Sequence, residues 1–365
     1  MQYRTLPHGG DKISIIGLGM GSIHNAGTQG IVETIHTALD AGVNFFDFVP
    51  SDAAAFDGYA QAFKGSTREQ ALFQIHLGAD YSSGKYGWTT DAEIAIPQFE
   101  ERLRTLGTDY TDFGFIHCID EEADFDKVMN GGIWDYAQCM KREGVIRHLG
   151  FSTHRVSIAR RCIATGQMDL GMFSINPMYD YTDESNYGKG EASERAALYK
   201  EFEAAGVGIS VMKAFAGGQL LDAKASPFSQ ALTKNQCMQY VLDKPGVLSV
   251  LPGVRGRDDL DEVLSFLNAS PGERDYSVVG TFAAPKDKGS CVYCNHCQPC
   301  PEGIAIGLVN KYYDLARLGD DMAAQHYHNL EKHADDCKHC GHCDSRCPFG
   351  VHQSERMIEI TSFFS

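Results

Sequence analysis

The chain lacks any apolar run long enough to span a bilayer, and its opening residues carry no signal-peptide pattern. Both absences give a cytoplasmic protein as the expectation. Positive charge is also in short supply. The 32 Lys and Arg against 48 Asp and Glu leave a formal net charge of −16, which argues against nucleic acid or anionic membrane as partners, because both require basic patches. There is no low-complexity tract and no repeat beyond an alternation of short strands and helices. Outside two tight groups cysteine is sparse too: Cys118, Cys139, Cys162 and Cys237 are scattered, so the twelve cysteines do not form a secreted disulfide scaffold.

The other eight cysteines carry the most specific signal. Cys337, Cys340, Cys343 and Cys347 are spaced C-x2-C-x2-C-x3-C and followed by Pro348; Cys291, Cys294, Cys297 and Cys300 form a second run followed by Pro301. These runs resemble those by which bacterial-type ferredoxins hold [4Fe-4S] clusters, where three close thiolates grip one cubane and the fourth, beside the proline, crosses to the other. That resemblance implies Cys291, Cys294, Cys297 and Cys347 on one cluster, and Cys337, Cys340, Cys343 and Cys300 on the second. Four-cysteine zinc sites are the alternative, yet zinc has no use for a fourth Cys-Pro. Exposed clusters oxidise easily, so reducing, low-oxygen surroundings are expected. The spacer over 304–336 reads as helical, with Leu308, Tyr312, Leu315 and Leu318 on one face; its length resembles the helical type of two-cluster ferredoxin.

At 365 residues and 43% hydrophobic content, the chain can fill one large core and one small one. Strand-like runs at 13–18, 44–48, 73–78, 112–118, 147–152, 172–175, 208–213 and 248–252 alternate with helical stretches at 30–41, 90–106, 134–143, 156–165, 193–205, 229–242 and 260–267. Eight βα units in about 270 residues predict a (β/α)8 TIM barrel over 1–270. A linker over 271–289, with Pro271, Gly272, Pro285 and the charged Lys286, Asp287 and Lys288, leads to a cluster domain over 290–365. Gly17, Gly19 and Gly21 imitate a dinucleotide fingerprint, but Ser22 stands at the third glycine position and no acidic residue ends a clean second strand.

Several segments together resemble one family. Met1 to Leu6 with Ile15 to Gly19, Asp40 to Asp47, Asp109 to Asp112 leading to Ile116 and His117, and Gly150 to Ser152 resemble the aldo-keto reductase superfamily. With the cysteine runs, the chain resembles the branch fused to a C-terminal 4Fe-4S ferredoxin-like domain. The resemblance implies NADPH lying across the carboxyl ends of the barrel strands and four catalytic residues, an Asp, a Tyr, a Lys and a His. Asp47 and His117 match the first and last. The Tyr position holds Asp52, with Tyr59 the nearby tyrosine that could enter the site, and the Lys position holds His76. Losing a positioned acid typically costs about 10²–10⁴-fold, so ordinary carbonyl reduction needs another acid. Asp47, Asp52, His76, His117 and His154 remain on that face, as a proton-transfer set or as ligands for a divalent metal. His154 and Cys118 read equally as packing residues.

The cofactor positions depart as well. Where the family holds adenosine phosphate with Arg and adenine with Asn, this chain has Asp259 and Val263. The loop containing Gly253, Arg255 and Arg257 returns part of that charge, and Ser152, Thr153, Asn176 and Lys213 stand at the remaining contact positions. NAD(P)H is therefore weakly supported, and a flavin held by phosphate loops stays open. Because a [4Fe-4S] cluster passes one electron and a nicotinamide two, the expected function is an iron-sulfur oxidoreductase acting on a small carbonyl or hydroxyl substrate, with a redox partner protein supplying electrons through the clusters. A non-redox lyase or isomerase using Asp47, His76 and His117 beside structural clusters is the alternative, and a barrel reduced to an electron-transfer module is a third reading.

Overall fold

A computed structural model describes residues 1–181, 192–228, 230–281, 289, 291, 293, 295, 297–317, 321–347 and 349–365. Eight parallel strands, numbered here along the chain, pair in sequence order: β1 (Leu18–Gly19), β2 (Phe45–Asp47), β3 (Leu72–Leu77), β4 (Thr111–Ile116), β5 (Ile146–Thr153), β6 (Leu170–Ser174), β7 (Gly208–Met212) and β8 (Val247–Val250). Bridges from Ile16 to Val250 and from Gly19 to Gly253 bring the last strand back to the first, which makes a nearly closed barrel.

The two-residue alternation of a strand decides what the barrel encloses. Phe45, Leu72, Phe113, Phe115, Leu170, Met172 and Leu248 fill the lower interior, while Phe46, Phe73 and Ile75 point outward into the helical layer. Continued upward, the same phase puts Asp47, Gln74, His76 and His117 on the inner face at the carboxyl end, where active sites of this architecture lie. Gly150 makes room for the floor: a Cβ there would meet the Phe115 ring at 2.2 Å. The outer helices start where the sequence offers caps. Asp91 accepts the Glu93 N–H at the head of the helix Ala92–Leu106, and Thr233 with Gln236 forms a capping box before the helix Lys234–Leu242.

Two expectations need correction. The 13–18 run is not one strand. Lys12–Ser14 pairs antiparallel with Tyr3–Thr5 in a hairpin beneath the barrel, and the barrel strand begins only at Leu18. In the second domain, the helix Ile306–Arg317 buries Ile306, Val309, Asn310 and Tyr313 rather than the stripe through Leu308, Tyr312 and Leu315; Leu318 lies outside the described residues. Leu308 instead lines the cleft against the barrel, so two neighbouring stripes of one helix serve two different surfaces.

Tyr276 and Val279 still pack into the barrel core. The second domain then rests on the barrel's flank and strand amino ends through polar contacts. Lys311 pairs with Glu203, Arg346 donates to Asp275 at 2.7 and 2.9 Å, and Lys200 lies 4.1 Å over the Tyr293 ring. Among the described residues no helix is long and apolar enough to cross a membrane.

Candidate active site and cluster domain

Four side chains form one hydrogen-bonded line at the carboxyl end. Asp47 Oδ1 meets His76 Nε2 at 2.8 Å, His76 Nδ1 meets His117 Nδ1 at 2.8 Å, and His117 Nε2 meets the Tyr86 hydroxyl at 2.7 Å. Gln74 Nε2 also donates to Asp47 Oδ1 at 2.8 Å. With Asp47 ionised and both imidazoles neutral, one proton pattern satisfies the three contacts of the line: Tyr86 donates to His117, His117 to His76, and His76 to Asp47. Asp47, His76 and His117 are buried, whereas Tyr86 is 40% exposed. The line therefore connects a buried carboxylate to the barrel mouth.

Its electrostatics suit that pattern. Burial, with the neighbouring His76 and His154, drives His117 well below the ordinary histidine value, so the ring is a neutral acceptor for the phenol. Burial and the nearby Cys118, Asp47 and Asp120 raise Tyr86 far above a free phenol, so the hydroxyl keeps its proton.

Tyr86 was not among the residues picked out from the sequence. It sits on a short hairpin, Ala79–Asp80 against Gly87–Trp88, that folds back after β3. Gly78 permits the reversal: its φ is +105°, and a Cβ there would lie 2.8 Å from the Thr89 carbonyl. The Tyr86 N–H is fixed to Ser51 O at 3.2 Å, and Asp52 pairs with Lys85 next to it. Asp52 therefore anchors the hairpin's rim instead of entering the hydrogen-bonded line. Tyr59 lies elsewhere. It is fully buried on the helix Ala55–Ala62, with its hydroxyl donating to Met20 O at 3.1 Å.

A second group lines the adjacent wall. Asp120 Oδ1 accepts from Thr153 Oγ1 at 3.1 Å and from the His154 N–H at 2.7 Å, while Oδ2 meets His154 Nδ1 at 2.9 Å. Burial opposes ionisation of Asp120, but these bonds outweigh it and bring the carboxyl down to about 2. Cys118, at φ 48°, points its thiol to within 3.9 Å of Asp120 Oδ2; burial and that carboxylate push the thiol up to about 12. Ser152 Oγ accepts the Cys118 N–H at 2.7 Å. Asn176 bonds Lys213 O and the Tyr179 N–H, so it braces the loop after β7.

In the second domain, Cys300, Cys337, Cys340 and Cys343 border one cavity with Ile304, Ile306 and Met357. Cys291 and Cys347 pack together against Phe349 and Val351, and Cys297 is buried in the core of the domain; Cys294 lies outside the described residues. Four cysteines beside one apolar cavity are the kind of donors that a cubane takes. Backbone N–H groups of His339 and Val351 already donate to the sulfurs of Cys337 and Cys347 at 3.4 and 3.3 Å, the kind of contact that tunes cluster potential.

The pattern of the aldo/keto reductase family matches residues 16–236, more than half of the chain. This protein belongs to the aldo/keto reductase family. A 4Fe-4S dicluster domain matches residues 288–351. The chain is 22% identical over 138 residues to L-glyceraldehyde 3-phosphate reductase of Escherichia coli K12, covering 35% of this chain and 39% of that protein, so it spans about two fifths of that relative. It is also 22% identical to the uncharacterized oxidoreductase YqkF of Bacillus subtilis over 74% of this chain and 92% of the other. Its fold resembles that of the aldo-keto reductase AKR11C1 from Bacillus halodurans in its holo form, with a TM-score of 0.62 and 19% identity, covering 78% of this chain and 97% of that one.

For an aldo/keto reductase, the adenosine-phosphate loop is unusual. Asp259 holds Arg255 at 2.7 and 2.8 Å, and Arg257 pairs with Asp261 at 2.8 Å. Arg255 in turn keeps the Asp259 carboxyl near 2, so both guanidiniums spend their charge on local carboxylates. A 2′-phosphate there would compete with Asp259 and Asp261 for the two guanidiniums.

Proposed function

We propose that this aldo/keto reductase is an iron-sulfur oxidoreductase that interconverts a small carbonyl and its alcohol at the carboxyl end of the barrel, with Tyr86, His117, His76 and Asp47 moving the proton. The observation that carries this reading is the unbroken line of contacts at 2.7–2.8 Å from a phenol at the mouth to a buried carboxylate. The line can act in both directions. In oxidation, Tyr86 takes the substrate's hydroxyl proton while passing its own to His117 Nε2; His117 passes its Nδ1 proton to His76, and His76 passes its Nε2 proton to Asp47. Each ring ends neutral, and the proton rests on the carboxyl. Run backward, the same shifts protonate a nascent alkoxide. Tyr86 thus replaces the acid that Asp52 and Tyr59 do not supply.

The carbon-bound hydrogen would leave with both electrons as a hydride to a two-electron carrier of the flavin class, from which two [4Fe-4S] clusters, held by Cys291, Cys294, Cys297 and Cys347 and by Cys337, Cys340, Cys343 and Cys300, would take the electrons singly. Within this reading Ser152, Thr153, Asn176, Lys213, Gly253, Arg255 and Arg257 stand at the positions where a cofactor would lie, and the barrel, linker and cluster domain divide near residues 270 and 290. The test is anaerobic. Dithionite-reduced protein, freed of excess reductant, is mixed with a panel of small aldehydes and ketones while the cluster absorbance is followed. Reoxidation driven by one of them supports the relay. Clusters that stay reduced with every carbonyl, in protein that still exchanges substrate α-protons with solvent, favour the second reading, a lyase or isomerase with structural clusters. The seating of the cluster domain on the strand amino ends, away from the proton line, is the observation in that reading's favour.

A further inference from the structure

One group beside the proton line has no part in it. Cys118 and Asp120 follow β4 and His154 follows β5, and one ligand atom from each lies within 4.8 Å of the others. The three are held ready by contacts that leave their ligand atoms facing one another. Asp120 Oδ1 is occupied by Thr153 and the His154 N–H, which turns Oδ2 towards the thiol and the imidazole. The Cys118 backbone is tied to Ser152 Oγ at 2.7 Å, and the Ile119 N–H between the two ligands is tied to Ser152 O at 3.0 Å. Partners of this kind orient metal ligands.

We propose that Cys118, Asp120 and His154 bind one divalent ion of the zinc class. A thiolate, a carboxylate and a neutral imidazole together carry two negative charges, which a divalent cation cancels in a half-buried site. The mixed sulfur, nitrogen and oxygen set suits zinc rather than calcium or magnesium, which take oxygen ligands. Three protein ligands leave one position of a tetrahedral ion for water or a substrate oxygen, the arrangement of catalytic rather than structural zinc. Because Cys118 is the chain neighbour of His117, a substrate oxygen on that ion would sit next to the proton line and be polarised there. Lys213 contributes positive charge to the same pair, so the ion binds in competition with one ammonium. Binding is read without turnover, and its failure leaves the proposed reaction standing.

The experiment uses the full chain with both clusters loaded, at about eight irons per chain, dialysed against zinc and then against buffer. The expected result is one zinc per chain whose X-ray absorption shows a single sulfur at about 2.3 Å and nitrogen or oxygen neighbours at about 2.0–2.2 Å. Cys118→Ser, Asp120→Asn and His154→Ala should each weaken zinc binding at least tenfold, because even outer partners of a site cost about 10–100-fold. Cys139→Ser, which alters a thiol elsewhere, should leave binding unchanged. No retained zinc, a four-sulfur shell from the cluster cysteines, or full retention in Cys118→Ser overturns the proposal.

Discussion

Tyr86→Phe removes one oxygen from the mouth of the barrel and leaves the ring in place. Because the residue is 40% exposed and loses one neutral hydrogen bond, the fold should lose only about 1 kcal/mol, with up to about 3 kcal/mol if His117 Nε2 is left without water. The chemical step should suffer far more. Loss of a positioned proton donor costs about 10²–10⁴-fold, equivalent to about 3–5 kcal/mol of barrel chemistry at 1.36 kcal/mol per decade. The loss should fall on kcat, because the hydroxyl acts on the proton in flight, and KM should move little. The assay is anaerobic reduction of small aldehydes and ketones with reduced methyl viologen, run beside thermal unfolding and the cluster absorbance. A second readout needs no substrate: nitrogen-15 spectra of labelled histidine should show His117 Nε2 losing its donor while His76 keeps its bond to Asp47. If kcat stays within about threefold of the parent while His117→Ala is inactive, water reaches His117 directly and Tyr86 is not the acid.

The histidine at the centre of the line gives a pH prediction. His117 is held well below the ordinary value in the native state, so the unfolded chain binds its proton first. Stability should therefore fall as pH drops below about 6.5, by up to about 1.4 kcal/mol per unit, and unfolding temperatures of His117→Asn should show a shallower slope between pH 7 and 5. Cys300→Ser should remove about half of the cluster signal by disturbing the cluster of Cys337, Cys340 and Cys343; spectra showing damage confined to the Cys291 cluster would sink the crossed assignment. Gly78→Ala forces a side chain into φ +105° and against Thr89 O, at a cost of about 1–3 kcal/mol. It should lower turnover by displacing Tyr86, and unchanged stability with unchanged turnover would show that Gly78 does not position the hairpin.

How much of this was legible in the sequence followed from physical range. The strand count was legible because each βα unit writes its own hydrophobic period, and Asp47, His76 and His117 were found at strand ends by adding the family resemblance to that period. Their contact with one another is a consequence of barrel closure, which aligns neighbouring strand tips. Tyr86 was hidden because its hairpin has only two-residue ladders and no period; what brings it to His117 is a positive φ at Gly78 and a bond to Ser51, neither of which alternation reveals. Tyr59 misled for the opposite reason. It is the tyrosine nearest the position that Asp52 occupies, but the helix Ala55–Ala62 turns it into the apolar layer against Phe48 and Phe56. The first strand was misread because the apolar run through Ile13 and Ile16 continues across two elements with different partners.

The position of the cluster domain bears on how the two halves can work together. The proposed proton chemistry belongs to the carboxyl ends of β2, β3 and β4, whereas the residues that face the cluster domain are Glu203, on the helix Ala192–Ala204, and Val207, Gly246 and Val247, at the amino ends of β7 and β8. A five-residue strand rises about 16 Å, so in the proposed relay an electron would cross roughly the height of the barrel between a cluster and a substrate beside Tyr86. The contacts between the domains are charged pairs and a cation over a ring, which resemble the polar interfaces of domains that move relative to one another. Salt weakens such contacts, while the hydrogen-bonded proton line inside the barrel is shielded from it. Ionic strength therefore separates the two halves of the mechanism: salt that slows substrate-driven cluster reoxidation without slowing proton exchange at the substrate points to docking as the step that admits electrons.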